Sequence, residues 1–193
     1  NPKYHEEVIQ ATRDTIDACA EHGFKRCISF TGFAEGLSKE EGAANCVEGY
    51  KKIVDYAEQK DVTICLEMLN TRDDTHPMKG HPGYQGDKTE YCVDIIKAVG
   101  SSHLKLLFDI YHVQIMEGDL VHRFEDCLPD IGHVQIANPP DRREPDEGEI
   151  NYPYLFDAID TAGYDGWIGC EYFPRAGTRE GLGWGTAYGL KTE

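Results

Sequence analysis

The chain has 193 residues, 40% hydrophobic, 10% aromatic and 28% charged, enough apolar material for one medium-sized domain and too much for a disordered segment. Lys and Arg number 19 against 35 Asp and Glu, a formal charge of −16, which repels a phosphate backbone and excludes nucleic acid as an expected partner. No apolar run approaches the ~20 residues needed to cross a membrane; seven dispersed cysteines, with no C-x-x-C pair and no secretory pattern at the amino end, read as small buried hydrophobes of a reduced, cytoplasmic protein.

Val8, Thr12, Ile16 and Cys19 recur at helical spacing between Tyr4 and His22, with Gly23 as the stop. KRCISFTG (25–32) reads as a short strand. Ser38 and Glu41 form a capping-box pair ahead of Val47, Tyr50, Val54 and Ala57, a second helix. VTICLEML (62–69) is the next strand, and the polar stretch 70–86 is too rich in Gly, Pro and Asp to be regular. A loop of that length inside a compact domain points to function. Asp87 and Glu90 open a helix carrying Cys92, Ile95, Ile96 and Val99; LKLLFDI (104–110) is a strand; Leu120, Phe124 and Leu128 mark a helix; IGHVQIA (131–137) is a strand. A second irregular loop, 138–150, leads to a helix over 152–163, with Pro153 near its start and Gly163 at its stop. GWIGCEYF (166–173) is the last strand.

Near-continuous apolar strands alternating with helices predict an α/β fold, a parallel sheet covered by helices. A complete (β/α)8 TIM barrel takes typically about 250 residues, so the five strands belong either to an open α/β sheet or to an incomplete barrel without its first three strands. A helix ahead of the first strand favours the barrel. Residues 1–193 are then a single domain lacking its amino-terminal part. An open sheet edge has to be covered by another copy or stay aggregation-prone, so a homo-oligomer is an expectation too.

Four strands end in oxygen donors: Glu67 in CLEML, Asp109 in LLFDI, Gln135 in GHVQI and Glu171 in GCEYF. In parallel α/β folds the carboxyl ends of the strands share one rim, where residues far apart in sequence converge. The two-residue period puts Glu67 on one face with Thr63 and Cys65, opposite Ile64, Leu66 and Met68. Gln135 shares a face with His133, and Glu171 with Gly169 and Trp167. A buried carboxylate needs a cation or it takes up a proton, and three carboxylates with one amide oxygen are hard ligands that suit Mg²⁺ or Mn²⁺. His112, three residues after Asp109 on the loop beyond the strand, can hydrogen-bond a bound hydroxyl. Arg142 carries a planar fork of donors for a carboxylate or hydroxyls.

The motifs CLEMLNTR, DIYHVQIMEGD, GHVQIANPPDRREPDEGEINY and GYDGWIGCEY, spread over residues 24–184, resemble the xylose-isomerase-like TIM-barrel proteins, and among them the hydroxypyruvate isomerase group. The resemblance implies a divalent metal on Glu67, Asp109, Gln135 and Glu171, with His112 and Arg142 near the substrate. Relatives acting on ketohexoses carry His where Gln135 stands. The loop from Arg72 to Gly86 is longer than in the hydroxypyruvate isomerases, and the amino-terminal strands are missing. The implied partner is a small sugar-like or hydroxy-keto acid substrate. Glu67 and Glu171 would flank an α-hydroxy carbonyl compound, one removing a proton beside the carbonyl and the other returning it, as in hydroxypyruvate to tartronate semialdehyde. A ketose 3-epimerase, an inosose dehydratase and a non-catalytic binding relative are the alternatives. A repair endonuclease of the superfamily needs a His-rich multi-zinc cluster and a basic groove, which this sequence lacks.

Overall fold

A computed structural model describes residues 1–191. After a single 3-10 turn at Pro2–Tyr4, helix α1 (His5–His22) ends on Gly23, whose left-handed φ of 78° lets its N–H turn back onto the last carbonyls. Strand β1 (Arg26–Phe30) leads to α2 (Lys39–Lys51), whose capping box forms in both directions: Glu41 N–H donates to Ser38 Oγ at 3.1 Å, and Ser38 N–H to Glu41 Oε2 at 2.9 Å. The expected second helix is broken at Lys52 and Ile53 and resumes as α3 (Val54–Lys60). Ser38→Ala removes a satisfied N-cap and is expected to cost about 1 kcal/mol, read as a lower urea midpoint with unchanged slope.

Strand β2 (Thr63–Glu67), helix α4 (Thr89–Val99), strand β3 (Leu104–Asp109), helix α6 (Leu120–Cys127), strand β4 (Ile131–Ile136), helix α7 (Tyr152–Thr161) and strand β5 (Ile168–Cys170) follow the predicted alternation. Between β3 and α6 lies a helix absent from the sequence reading, α5 (Ile110–Met116). The strands pair in parallel in the order β1-β2-β3-β4-β5. A doubly wound sheet reverses its order at a switch point, whereas consecutive order without reversal is how a barrel wall is laid down. That decides between the two expectations.

The core lies between the outer face of this wall and the helices. Ile64, Leu66 and Met68, Leu106 and Phe108, and Val134 and Ile136 pack there with Ile16, Ile53, Ile95, Phe124 and Leu155. The inner face carries Cys65 and Glu67, with Ile28 and Phe30 beside them in register. On edge strand β1 these two apolar side chains remain 43% and 52% exposed, because no further strand among the described residues curls over them. All seven cysteines are free; Cys27, Cys65, Cys92 and Cys127 are buried as expected of small hydrophobes, whereas Cys19 and Cys46 are half-buried and Cys170, on the short last strand, is exposed. No helix among the described residues is long and apolar enough to cross a membrane.

Candidate active site at the carboxyl rim

The polar strand ends meet. Glu67 closes β2 and Asp109 closes β3, while Gln135 pairs in register with Asp109 and with Gly169. Glu171 sits one residue past β5, which is shorter than predicted. Its N–H still donates to Ile136 O at 3.1 Å, but Phe173 N–H then donates to Arg142 O at 2.8 Å. The chain after β5 therefore leaves the sheet for the 138–150 loop.

Asp109 has two jobs, one per oxygen. Oδ1 accepts the N–H groups of Tyr111 at 2.8 Å and His112 at 3.4 Å, which caps α5. Oδ2 faces the site, 3.5 Å from Arg142 Nη2 and 3.6 Å from His112 Nε2. This cap corrects the placement of His112: it lies in the first turn of α5, fully buried, rather than on a loop. An Asp followed by Ile-Tyr-His carries too little apolar period to announce so short a helix.

The cation that the carboxylates meet inside this chain is Arg142. The residue is 3% exposed on a left-handed backbone (φ 54°), and its guanidinium donates to Glu171 Oε2 at 2.5 Å, to Glu171 O at 3.1 Å and to Met78 O. Its face lies 5.1 Å from the ring centre of Tyr111, a cation–π contact. With Asp109 included, one of the five guanidinium N–H donors is left over. Arg142 is thus chiefly a partner of the rim acids, and a bidentate grip on a substrate carboxylate would require it to let go of one of them.

One guanidinium does not neutralise three carboxyls. Burial, and then the charges of Asp109 and Glu171, push Glu67 up to about 9. Burial likewise raises Asp109, against the pull of Arg142 and the α5 amides, and raises Glu171 against Arg142. Without a further cation Glu67 holds a proton at neutral pH, as the cost of an unpaired buried charge requires. A group at 4.5 unfolded and about 9 folded stabilises the fold fully below pH 4.5, and loses that contribution as pH rises through 9. Protein kept in chelator is therefore expected to melt at steadily lower temperature across that window, followed by circular dichroism.

A divalent cation fits this donor set. Gln135 Oε1 is a buried polar atom without a hydrogen-bond partner, and ligand atoms of Glu67 and Asp109 lie within 4.8 Å of one another, beside His112. Glu67, Asp109, Gln135 and Glu171 could supply the hard oxygens expected for Mg²⁺ or Mn²⁺. Sequence reasoning missed Asn70, whose buried side chain and backbone hold His112, and Met78, whose carbonyl holds Arg142. The length of the 70–86 loop was the only signal for either.

Comparison with known proteins follows the same lines. Residues 1–188 match the family described as xylose isomerase-like TIM barrel. The chain is similar to a 2-oxo-tetronate isomerase of Cupriavidus necator, 52% identical over 128 residues, covering 66% of this chain and 46% of that protein. It is similar also to the hydroxypyruvate isomerase of Escherichia coli, 39% identical over 153 residues, covering 79% and 57%. A crystal structure described as an AP endonuclease, family 2, from Brucella melitensis superposes with a TM-score of 0.81 at 37% identity, covering 93% of this chain and 68% of that one. The chain spans about half the length of the curated relatives it matches. By the match over nearly its whole length, the chain belongs to the xylose isomerase-like TIM barrel family.

Proposed function

We propose that this chain carries the catalytic rim of a metal-dependent isomerase acting on a short 2-oxo acid with a hydroxyl on the neighbouring carbon, the chemistry shared by hydroxypyruvate and 2-oxo-tetronate. One observation carries the reading: the buried Glu67 and Asp109, at the ends of two strands, and the half-buried Glu171, just past a third, crowd one rim, with a single guanidinium paired to Asp109 and Glu171. The names of the relatives support the substrate class, and the charge of −16 argues against a nucleic-acid substrate.

Glu67, Asp109, Gln135 and Glu171 would hold the cation, Mg²⁺ or Mn²⁺. When bound, such an ion supplies Lewis-acid polarisation of the carbonyl and compensates the charge of the developing enediolate, worth several kcal/mol. The glutamates move the protons. One of Glu67 and Glu171 takes the proton from the hydroxyl-bearing carbon, the other delivers a proton to the former carbonyl carbon, and the hydroxyl proton passes to the former carbonyl oxygen, so the carbonyl and hydroxyl exchange places. His112 hydrogen-bonds a substrate oxygen, and Arg142 keeps Glu171 directed into the site while its charge favours an anionic substrate. Arg142 also ties the 70–86 loop to the rim through Met78 O, which restricts water around the reacting carbons.

The test is a product analysis by NMR with hydroxypyruvate, a 2-oxo-tetronate, ketohexoses and inosose, in chelator and with Mg²⁺ or Mn²⁺ restored. Metal-restored conversion of hydroxypyruvate to tartronate semialdehyde, or the matching carbonyl shift in 2-oxo-tetronate, is the expected result. Epimerised ketohexoses, dehydrated inosose, or no reaction with any metal would overturn it.

A further inference from the structure

The imidazole of His112 is gripped at one nitrogen only. Asn70 N–H donates to Nδ1 at 3.1 Å, and Asn70 Nδ2 lies 2.7 Å from the same atom. A backbone amide can only donate, so Nδ1 presents its lone pair, and a neutral ring then carries its proton on Nε2. The orientation of the Asn70 amide is fixed independently. Its Oδ1 accepts Asp73 N–H at 3.1 Å and its Nδ2 donates to Lys79 O at 2.6 Å. Turned over, the amide would set oxygen against carbonyl and NH₂ against N–H. Both residues are fully buried, and His112 Nε2 has no partner; Asp109 Oδ2, 3.6 Å away, is beyond hydrogen-bond range. Gly80 makes the room for this arrangement, since a Cβ there would overlap Asp73 O and stand 2.7 Å from Asn70 Oδ1.

We infer that Asn70 is a positioning residue that locks His112 as the Nε2–H tautomer, so that His112 serves as a hydrogen-bond donor to a substrate oxygen and stays out of the ligand shell of any metal at the rim. The inference rests on the isomerase reading for the identity of that oxygen, and on the hydrogen bonds alone for the tautomer. A protonated ring nitrogen has no lone pair to give a cation. Although His112 lies within 4.8 Å of two carboxylates, it is therefore turned against ligation. The same residue also staples the long loop, because Asn70 O accepts His81 N–H at 2.8 Å in addition to the contacts with Asp73 and Lys79. The loop and the donor are held as one unit.

The experiment is a proton–nitrogen correlation spectrum of the whole chain with isotope-labelled histidine, the His112 signals being assigned with His112→Gln. The expected spectrum shows a bare lone pair at Nδ1 and a proton at Nε2, before and after Mg²⁺ is added. Asn70→Asp exchanges the side-chain donor for an anionic acceptor at Nδ1, in competition with the backbone N–H of residue 70, which the substitution keeps. It is expected to populate the Nδ1–H tautomer and lower kcat on hydroxypyruvate by at least about tenfold, with Mg²⁺ affinity by calorimetry kept within about twofold. If Asn70→Asp fails to fold, the spectrum of the unaltered protein with and without Mg²⁺ decides by itself. A proton on Nδ1 in the unaltered protein, loss of the Nε2 proton on adding Mg²⁺, or an unchanged tautomer in the variant would each overturn the lock. An unaltered protein that shows the stated tautomer and turns over no substrate supports the lock and removes the isomerase reading instead.

Discussion

Glu171→Gln is expected to lower turnover by about 10²–10⁴-fold, the range for losing a positioned acid–base group, while leaving the folded state nearly as stable. The side chain is 38% exposed, its amide oxygen can still accept from Arg142, and the buried guanidinium keeps Asp109 as a counter-charge. What disappears is the capacity to take or give a proton at the mouth of the rim. The measurement is kcat at saturating Mg²⁺, with metal affinity followed in parallel because Glu171 is also a candidate ligand. A variant that keeps its activity once metal is saturating would remove Glu171 from the chemistry.

Arg142→Met is expected to destabilise chelated protein by about 3–5 kcal/mol, the cost of removing one partner from a buried ion pair. Asp109 is 1% exposed and Glu67 4%, so neither can turn to water when the guanidinium goes. Saturating Mg²⁺ is expected to return more stability to this variant than to the unaltered protein, because a cation at the rim replaces the missing charge. Urea unfolding with and without Mg²⁺ checks both statements. Equal effects of Mg²⁺ on the two proteins would mean that Arg142 and the metal do not share the same carboxylates.

The order of elements was legible in the sequence because apolar periodicity and helix punctuation agree along most of it. Gly23, Ser38 with Glu41, Pro153 and Gly163 each stand where a helix begins or ends. The rim acids were legible because a carboxylate inside a run such as CLEML contradicts burial and needs an explanation. Tertiary contacts hid the rest. Helix α5 exists through the cap supplied by Asp109, and the place of Arg142 depends on a carbonyl from a loop 64 residues earlier in the chain. Asn70 reads as an ordinary loop residue until its neighbours fold onto it. The break between α2 and α3 has no counterpart in sequence either, because the apolar spacing from Val47 to Ala57 runs straight across it.

In the proposed site β2, β3, β4 and the residue after β5 each supply one oxygen, so no fragment shorter than four consecutive strands would build it. Ion capture would then be visible far from the ion. Backbone amides along all of these strands should exchange with deuterium more slowly once the oxygens are bridged, because releasing any one strand would first require releasing the metal.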